Sequence, residues 1–274
     1  MPRFSANIST LFTDVDLPER FARAAQAGFR GVEIQFPYAC DKAMLAERAR
    51  GAGVEVVLIN LPAGDLSTGE RGIACLPSRA SEFRDAVGLG IEYARALGVT
   101  RVNCLAGIAP PKASDALLRE TFISNIRYAA GELGRRGIQL LIEPINTRTL
   151  PRFWLHNFGQ AIALIAEASV SDTLPNIAIQ YDLFHMQIME GDLSRTMAEN
   201  LPHIGHIQFA DVPDRHEPGT GELNFAYLFD AIDRIGYTGW VGAEYTPSLL
   251  RTEDTLGWFR PYLLREQQQQ QQQQ

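Results

Sequence analysis

The sequence is poor in cysteine and has no long apolar run. Its three cysteines, Cys40, Cys75 and Cys104, lie far apart and none belongs to a CxxC pair, which argues against a disulfide framework and against a structural zinc site. No stretch approaches the roughly 18 apolar residues that a membrane helix requires, and the N-terminus lacks the apolar core of a secretory signal. These features predict a cytoplasmic protein with reduced thiols and no membrane partner.

Positive charge is also scarce. The 274 residues contain 25 Lys and Arg against 32 Asp and Glu, a formal net charge of -7. A protein that binds duplex nucleic acid normally needs a basic face to offset the phosphate charge, so the composition predicts no nucleic-acid partner. Hydrophobic residues make up 46% of the chain, enough for a substantial core. The sequence leaves open whether the protein forms a homodimer.

Short runs rich in β-branched and aromatic residues alternate with longer amphipathic segments. Strict alternation of this kind indicates parallel strands joined by helical crossovers. Several helical segments end at glycine, as expected of a helix C-cap before the next strand. The predicted strands are residues 4–8, 31–36, 54–60, 101–107, 139–145, 177–182, 204–211 and 240–245, and the predicted helices are residues 17–27, 41–52, 80–97, 115–135, 158–168, 192–200, 224–235 and 255–263.

The first predicted strand is not followed by a glycine-rich turn, because the chain continues Ser9-Thr10-Leu11-Phe12. An open doubly wound sheet usually has such a turn to bind phosphate, whereas eight strand–helix units within about 265 residues suit a closed barrel. No break in composition divides the chain. We therefore predict an α/β fold, a single-domain (β/α)₈ TIM barrel over residues 1–264, followed by a disordered glutamine-rich tail over residues 265–274.

Each predicted strand has a polar residue at its C-terminal end, although the strands are otherwise apolar. Active sites of TIM barrels lie at these ends, and an isolated carboxylate beside a core is costly unless it is paired or bound to a cation. Three carboxylates and one amide on the second half of the barrel would form an oxygen-rich site suited to Mg²⁺ or Mn²⁺. The eight residues are Asn7, Glu33, Asn60, Asn103, Glu143, Asp182, Gln208 and Glu244.

Five segments contain the most distinctive motifs of the chain. They are Ile142-Glu143-Pro144-Ile145-Asn146, Gln180-Tyr181-Asp182-Leu183-Phe184-His185-Met186-Gln187, Glu217-Pro218-Gly219-Thr220-Gly221-Glu222, and residues 60–65 and 69–74. Together they resemble the hydroxypyruvate isomerase family of the xylose-isomerase-like barrels, and the resemblance extends to about Tyr262. It implies interconversion of hydroxypyruvate and tartronate semialdehyde within glyoxylate or sugar-acid metabolism.

The resemblance also implies roles for individual residues. Glu143 and Glu244 match the two catalytic glutamates, and Glu143, Asp182, Gln208 and Glu244 match the residues that bind a divalent metal. Sugar epimerases of the wider superfamily usually have histidine where Gln208 stands. An amide oxygen is a harder ligand than imidazole, so Mg²⁺ or Mn²⁺ is favoured over Zn²⁺.

Isomerisation of a hydroxy-oxo acid removes a proton from one carbon and returns one to its neighbour through an enediolate. The reaction needs a carboxylate base and an acid or cation that stabilises the oxyanion. His185 is a candidate for hydrogen bonding or proton transfer at a substrate oxygen. The substrate carboxylate calls for a cation such as arginine, and the substrate-binding candidates on the loops after the third and seventh strands are Glu70, Arg71, Arg215 and His216, with Glu70 orienting a cation.

Other functions remain compatible with this sequence. A 2-oxotetronate isomerase or a ketose 3-epimerase would use the same site on a longer substrate. An endonuclease IV-type nuclease would need a histidine-rich trinuclear zinc site and a DNA-binding surface, whereas the chain has five histidines and a net charge of -7. A non-enzymatic barrel would bind a sugar acid without converting it.

Overall fold

Eight parallel strands form a closed barrel in the computed structural model, which describes residues 1–169 and 176–272. The strands are β1 Arg3–Asn7, β2 Gly31–Ile34, β3 Glu55–Asn60, β4 Arg101–Cys104, β5 Gln139–Ile142, β6 Ile177–Asp182, β7 Ile204–Phe209 and β8 Trp240–Ala243. Each strand pairs with the next along the chain, and β1 also pairs with β8. The predicted (β/α)₈ barrel is confirmed.

Helices follow the strands and pack around the barrel. They are α1 Leu17–Gln26, α2 Lys42–Ala52, α3 Ala80–Leu97, α4 Asp115–Gly134, α5 Phe158–Ala168, α6 Leu183–Met189, α7 Leu193–Asn200, α8 Phe225–Arg234 and α9 Arg260–Gln272, with 3₁₀ helices at Pro37–Ala39, Leu66–Thr68, Pro77–Arg79, Leu201–His203 and Thr252–Trp258. Among the described residues, no helix is long and apolar enough to cross a membrane.

Aromatic residues fill the layer between barrel and helices. The ring of Phe4 in β1 lies 6.1 Å from that of Phe209 in β7, 4.8 Å from Phe229 in α8 and 5.3 Å from Trp258. Burying one such side chain typically contributes about 2 to 3 kcal/mol. Phe4 and Phe209 point outward from the barrel toward the helices. Because successive side chains of a strand point to opposite faces, their neighbours in β1 and β7 point into the barrel.

A second, smaller apolar cluster lies inside the barrel. Its members come from β3, β5, β6 and β8, which are not all neighbours, so contacts among them cross the interior. Trp240 is the first residue of β8 and Gly31 is the first residue of β2. The Trp240 ring lies 3.0 Å from the position that a Cβ on Gly31 would occupy, so the cluster lies at the N-terminal ends of the strands. The polar strand ends therefore lie above an apolar base. The members are Val57, Leu58, Leu141, Ala178 and Trp240.

Two elements differ from the sequence-based prediction. Helix α6 was not predicted, because it has seven residues and Leu183 to Met186 are all buried, so no amphipathic period marks it. The predicted last helix over residues 255–263 is instead the 3₁₀ helix Thr252–Trp258 followed by α9. Helix α9 includes part of the glutamine tract, and a disordered tail over residues 265–274 stays a prediction.

Candidate active site

The C-terminal ends of the strands surround a cavity of about 360 Å³. Glu143 and Glu244 both line it, together with His185, Arg71 and Arg215. A second cavity, of about 350 Å³, lies at the opposite end of the barrel and is lined by aromatic, arginine and small side chains without a carboxylate. Only the first of these two cavities combines acidic and basic side chains. Part of its wall is apolar and consists of Phe36, Leu105, Ile145 and Leu150.

Four side chains donate hydrogen bonds to the buried carboxylate of Glu244. Asn7 and Gln208 each donate to Oε2 at 2.7 Å. Gln35 donates to Oε1 at 3.0 Å, and Arg215 donates to Oε1 at 2.6 Å. Burial raises the pKa of Glu244 to about 7, against the lowering effect of the Arg215 charge. The four donors favour the ionised form and offset part of the cost of burying it.

Glu143 has fewer polar contacts. Asn103 donates to its Oε2 at 2.7 Å, and Oε1 lies 3.8 Å from Nε2 of His185. Burial raises the pKa of Glu143 well above its usual value, and the negative charges of Glu244 and Asp182 raise it further. Two carboxylates that share one cavity in such different surroundings are suited to different roles in proton transfer.

Asp182 connects the barrel to helix α6. Its Oδ1 accepts a hydrogen bond from the backbone N–H of Phe184 at 2.9 Å and so caps the helix. Its Oδ2 is buried and has no hydrogen-bond partner among the described residues; it lies 3.4 Å from Nε2 of His185 and 3.6 Å from a guanidinium nitrogen of Arg215. Burial raises the pKa of Asp182 to about 6, again against the effect of Arg215.

The loop after β7 holds Arg215 in a left-handed conformation, with φ at 60°. Such a φ is unfavourable for a residue other than glycine and is often found at functional sites. The N–H of Arg215 donates to the carbonyl oxygen of Asp211 at 3.0 Å, and its carbonyl oxygen accepts from Thr246 N at 2.9 Å. The Asp211 carboxylate organises the same loop by accepting hydrogen bonds from the backbone N–H groups of Val212, Gly219, Gly221 and Leu223.

Gln208 is held from two sides inside the barrel. Its amide nitrogen donates to Glu244 and, at 2.7 Å, to Oε2 of Glu33, while its amide oxygen accepts from Gln180 at 2.6 Å. Glu33 is fully buried, and its Oε1 accepts from Ser5 Oγ at 2.6 Å and from His206 Nε2 at 2.8 Å. In this arrangement Gln208 presents an N–H to Glu244. The role of Gln208 as an oxygen ligand stays a prediction.

The donor set is suited to a divalent cation. Oxygen atoms of Glu143 and Asp182 lie within 4.8 Å of each other, and a ring nitrogen of His185 lies beside them within the same distance. The carboxylates of Glu143, Asp182 and Glu244, when ionised, leave a net charge of -2 beside Arg215. The buried Oδ2 of Asp182 lacks a donor, and buried carboxylates are usually paired or bound to a metal. Carboxylate oxygens are the ligands that Mg²⁺ and Mn²⁺ prefer.

The remaining predicted binding residues lie in different surroundings. Arg71 lines the cavity and donates to the backbone oxygens of Leu66 and Glu70 at 3.2 and 2.7 Å. The structure does not bring Glu70 to the cavity wall, because its carboxylate binds Arg79 at 2.6 Å and stabilises the loop after β3. His216 does not line the cavity either, and its Nδ1 lies 2.6 Å from the carbonyl oxygen of Thr246.

Close backbone packing positions Arg71. Gly72 forms an antiparallel bridge with Ala106 on the loop after β4 and has a φ of 105°. A Cβ on Gly72 would overlap the carbonyl group of Leu105. Glycine therefore allows the loop after β3 to fold over the barrel mouth.

Several polar residues near the site received no role from the sequence; besides Asn7, Gln35 and Asn103, which donate to the two glutamates, they include Glu33, Asn146 and Asp211. Glu33 was recognised as a polar strand end, and Asn146 was part of a distinctive motif, but neither was assigned a function. Asp211 follows β7, and the only sign of it in the sequence is an acidic residue before a turn. Their partners come from distant parts of the chain or from loop backbone, so no sequence spacing identified them.

Comparisons with known proteins agree with this geometry. Residues 21–262 match the family model described as xylose isomerase-like TIM barrel. The chain is 50% identical to hydroxypyruvate isomerase of Escherichia coli (strain K12), over 96% of this chain and 100% of the relative. It is 42% identical to 2-oxo-tetronate isomerase of Cupriavidus necator, over 97% and 100%. The crystal structure of AP endonuclease, family 2 from Brucella melitensis is 45% identical, with a TM-score of 0.91 over 96% of this chain and 99% of that one.

Proposed function

The chain belongs to the xylose isomerase-like TIM barrel family and, within it, to the hydroxypyruvate isomerase family, and from this premise we propose that it interconverts hydroxypyruvate and tartronate semialdehyde. The observation that supports this proposal most is the position of Glu143 and Glu244 in the wall of one cavity. Both carboxylates are 4% exposed, so a small acid that enters the cavity lies between two buried acid–base groups. Such groups can move a proton between adjacent carbons.

The surroundings of the two glutamates support a different role for each in the conversion of hydroxypyruvate. Glu244 accepts four hydrogen bonds and has a pKa of about 7, so it is the base that removes a proton from the hydroxymethyl carbon. Glu143 accepts a hydrogen bond from Asn103 alone among the described residues, and burial raises its pKa well above the usual value, so it is the acid that protonates the former carbonyl carbon of the enediolate. The hydroxyl proton passes from one substrate oxygen to the other. In the reverse direction the two glutamates exchange roles.

Cationic and apolar side chains orient the substrate. Arg71 lies at the cavity wall with its Nη1 bound to backbone oxygens, and the rest of its guanidinium group is suited to bind the substrate carboxylate. Arg215 is bound to Glu244 and also faces Asp182, so its charge supports the catalytic carboxylates. The apolar side of the wall limits the access of water to the enediolate.

A divalent cation, Mg²⁺ or Mn²⁺, would be held by Glu143, Asp182, Glu244 and, after its amide turns, Gln208. When bound it supplies positive charge that stabilises an enediolate. The protein residues would hold the substrate and transfer its protons. His185, whose Nε2 lies near both Asp182 and Glu143, contacts the substrate oxygens from the side of α6.

Proton NMR of hydroxypyruvate in D₂O tests the proposal. The protein is expected to produce tartronate semialdehyde and to exchange carbon-bound protons with solvent, and a chelator is expected to slow both. Glu143→Gln should reduce kcat by about 100-fold or more, since acid–base catalysis contributes about 10² to 10⁴. Exposed Glu120→Gln in α4 is the matched control and should leave kcat unchanged. A wild-type protein that produces no aldehyde and no exchange refutes the proposal.

A second candidate function is 2-oxo-tetronate isomerase, which the Cupriavidus necator relative supports. The chemistry would be the same on a substrate one carbon longer, and a ketose 3-epimerase would also use this pair of glutamates. Comparison of kcat/KM for hydroxypyruvate and 2-oxotetronate distinguishes the substrates. A value for the longer acid that is higher by tenfold or more would replace our substrate assignment.

The name of the Brucella melitensis protein raises nuclease activity as an alternative. A histidine-rich zinc centre is not found at this cavity, because His185 is the only one of the five histidines in its described wall. The net charge of -7 also disfavours binding to a polyanion. Incubation with an abasic duplex is expected to leave the strand intact, and cleavage that Glu143→Gln abolishes would support the nuclease.

A further inference from the structure

We propose that Asn146 is a positioning residue that fixes the tautomer of His185, so that His185 presents an N–H at Nε2 to a substrate oxygen. Asn146 follows β5 and His185 lies in α6, 39 positions apart, yet both are buried, with exposed fractions of 0% and 2%. The substrate contact rests on the proposed function. The tautomer itself follows from hydrogen bonds within the protein.

The amide orientation of Asn146 is determined by its own loop. Its Oδ1 accepts hydrogen bonds from the backbone N–H groups of Arg148 at 3.0 Å and Thr149 at 2.8 Å, and from the Thr149 hydroxyl at 3.2 Å. Backbone N–H groups can only donate, so the atom that faces them must be the oxygen. The amide nitrogen of Asn146 therefore points the other way and lies 2.6 Å from Nδ1 of His185.

Nδ1 of His185 must accept a hydrogen bond. Besides the side-chain amide, the backbone N–H of Asn146 also faces Nδ1, at 3.5 Å. A protonated Nδ1 would oppose both donors, which excludes the Nδ1–H tautomer and the imidazolium ion in this geometry. A neutral imidazole that accepts at Nδ1 has its proton on Nε2. His185 is thus a neutral ring with a single N–H, and its direction is fixed by Asn146.

The N–H at Nε2 is directed toward Asp182 and Glu143 and has no hydrogen-bond partner among the described residues. Nε2 lies 3.4 Å from Oδ2 of Asp182 and 3.8 Å from Oε1 of Glu143, and both distances exceed those of ordinary N–H···O hydrogen bonds. His185 lines the cavity. A neutral N–H donor stabilises an oxyanion that develops on the substrate without transferring its own proton.

Two roles are excluded by this assignment. A nitrogen that already has a proton cannot accept one, so Nε2 is not the base that removes a carbon-bound proton. It also has no lone pair for a metal, so the cluster of Glu143, Asp182 and His185 offers a cation two carboxylates and no imidazole. The sequence alone left hydrogen bonding and proton transfer by His185 as alternatives, and the hydrogen bonds of Asn146 favour the first.

Nitrogen NMR tests the tautomer without reference to activity. Protein labelled with ¹⁵N-histidine, kept with Mg²⁺, gives separate signals for protonated and unprotonated ring nitrogens, and the signals of His185 are those lost in His185→Gln. In the wild type we expect a protonated Nε2 and an unprotonated Nδ1. Asn146→Asp replaces the donor by an acceptor of the same size and should protonate Nδ1. Asn157→Asp, the same change at the N-cap of α5, should leave these signals unchanged.

Two substitutions of His185 test its role in turnover. His185→Gln keeps an N–H donor near the position of Nε2 but removes acid–base capacity, whereas His185→Leu removes both. Loss of one oxyanion donor typically lowers kcat by about 10² to 10³, so His185→Leu should lose about 100-fold. His185→Gln should retain a kcat at least about tenfold above that of His185→Leu, with a similar KM.

Several results would overturn the inference. A protonated Nδ1 in the wild type, or an unchanged tautomer in Asn146→Asp, would remove the positioning role of Asn146. Equal loss of kcat in His185→Gln and His185→Leu would remove the role of the N–H as donor. If Asn146→Asp does not fold, the wild-type spectrum still decides the tautomer. A wild type that converts neither hydroxypyruvate nor 2-oxotetronate refutes the proposed function. The nitrogen spectrum reports the tautomer of His185 whether or not the protein converts either acid.

Discussion

Replacement of Glu143 by glutamine is expected to stabilise the metal-free protein near neutral pH while it lowers kcat by about 100-fold or more. Glu143 is 4% exposed and, within the described part of the chain, receives one hydrogen bond, from Asn103. The substitution keeps the shape of the side chain and an acceptor oxygen for Asn103, but it removes an acid whose ionised form at pH 8 is a buried charge beside Asp182 and Glu244. Active sites often contain such unfavourable charges, which reduce stability for the sake of function.

The magnitude follows from the distance between the charges. Carboxylate oxygens of Glu143 and Asp182 lie within 4.8 Å of each other. With an effective dielectric constant of about 20, two like charges at this separation repel by about 3 kcal/mol. Arg215 offsets part of this repulsion, so we expect Glu143→Gln to raise the free energy of unfolding by about 1 to 2 kcal/mol at pH 8. For a chain of this size the gain corresponds to a Tm about 3 to 5 °C higher.

The gain should depend on pH with a defined sign. The pKa of Glu143 is raised by burial and by its charged neighbours, so the folded state keeps a proton that the unfolded state releases. Its contribution to stability is complete below about pH 4.5 and is lost as pH rises through the raised pKa. Glutamine does not titrate. The Tm difference between variant and wild type should therefore be small at pH 5 and grow toward pH 8.

Thermal melts followed by circular dichroism, with chelator present, measure this difference. Exposed Glu120→Gln in α4 is the control and should change Tm by less than about 1 °C. Addition of Mg²⁺ should raise the Tm of the wild type more than that of Glu143→Gln, since ligand binding stabilises the folded state. A variant less stable than the wild type at pH 8, or a difference independent of pH, would refute this account of the site.

Three further substitutions test individual contacts. Arg71→Gln should raise KM for hydroxypyruvate about tenfold or more, because a hydrogen bond to a charged group contributes about 1.5 to 3 kcal/mol; steady-state kinetics with an unchanged KM would contradict its role. Glu33→Gln should lower the free energy of unfolding by about 1 to 3 kcal/mol, since in either orientation its amide nitrogen replaces an oxygen that accepts from Gln208 or from Ser5 and His206. Urea denaturation measures the change, and a stability equal to wild type counts against these contacts. Gly242→Ala should destabilise by about 1 to 3 kcal/mol in the same assay, because the new Cβ would overlap the Glu33 carboxylate, and a neutral result would show that Glu33 can move.

The fold and the convergence of the carboxylates at the strand ends were accessible from sequence because both depend on local patterns. Alternation of apolar strands with amphipathic segments determines a parallel sheet, and the number of units determines its closure. Parallel strands then bring their C-terminal ends to one rim. Glu143, Asp182 and Glu244 follow apolar strand residues, so their convergence at one end of the barrel could be inferred without any knowledge of distances.

Only the tertiary structure decided which side chain each polar group contacts. The sequence named His185 as a candidate, but helix α6 is too short and too buried to show a period, so the direction of its ring toward Asp182 and Glu143 was not predicted. Glu70 pairs with Arg79 instead of reaching the cavity because the loop after β3 folds on itself. A hydrogen bond requires atoms within about 3 Å in a favourable direction, and loop backbone sets that geometry. The polar rim is therefore a property of the sequence pattern, whereas the donor at Asn146 that sets the tautomer of His185 exists only once the loops have folded against each other.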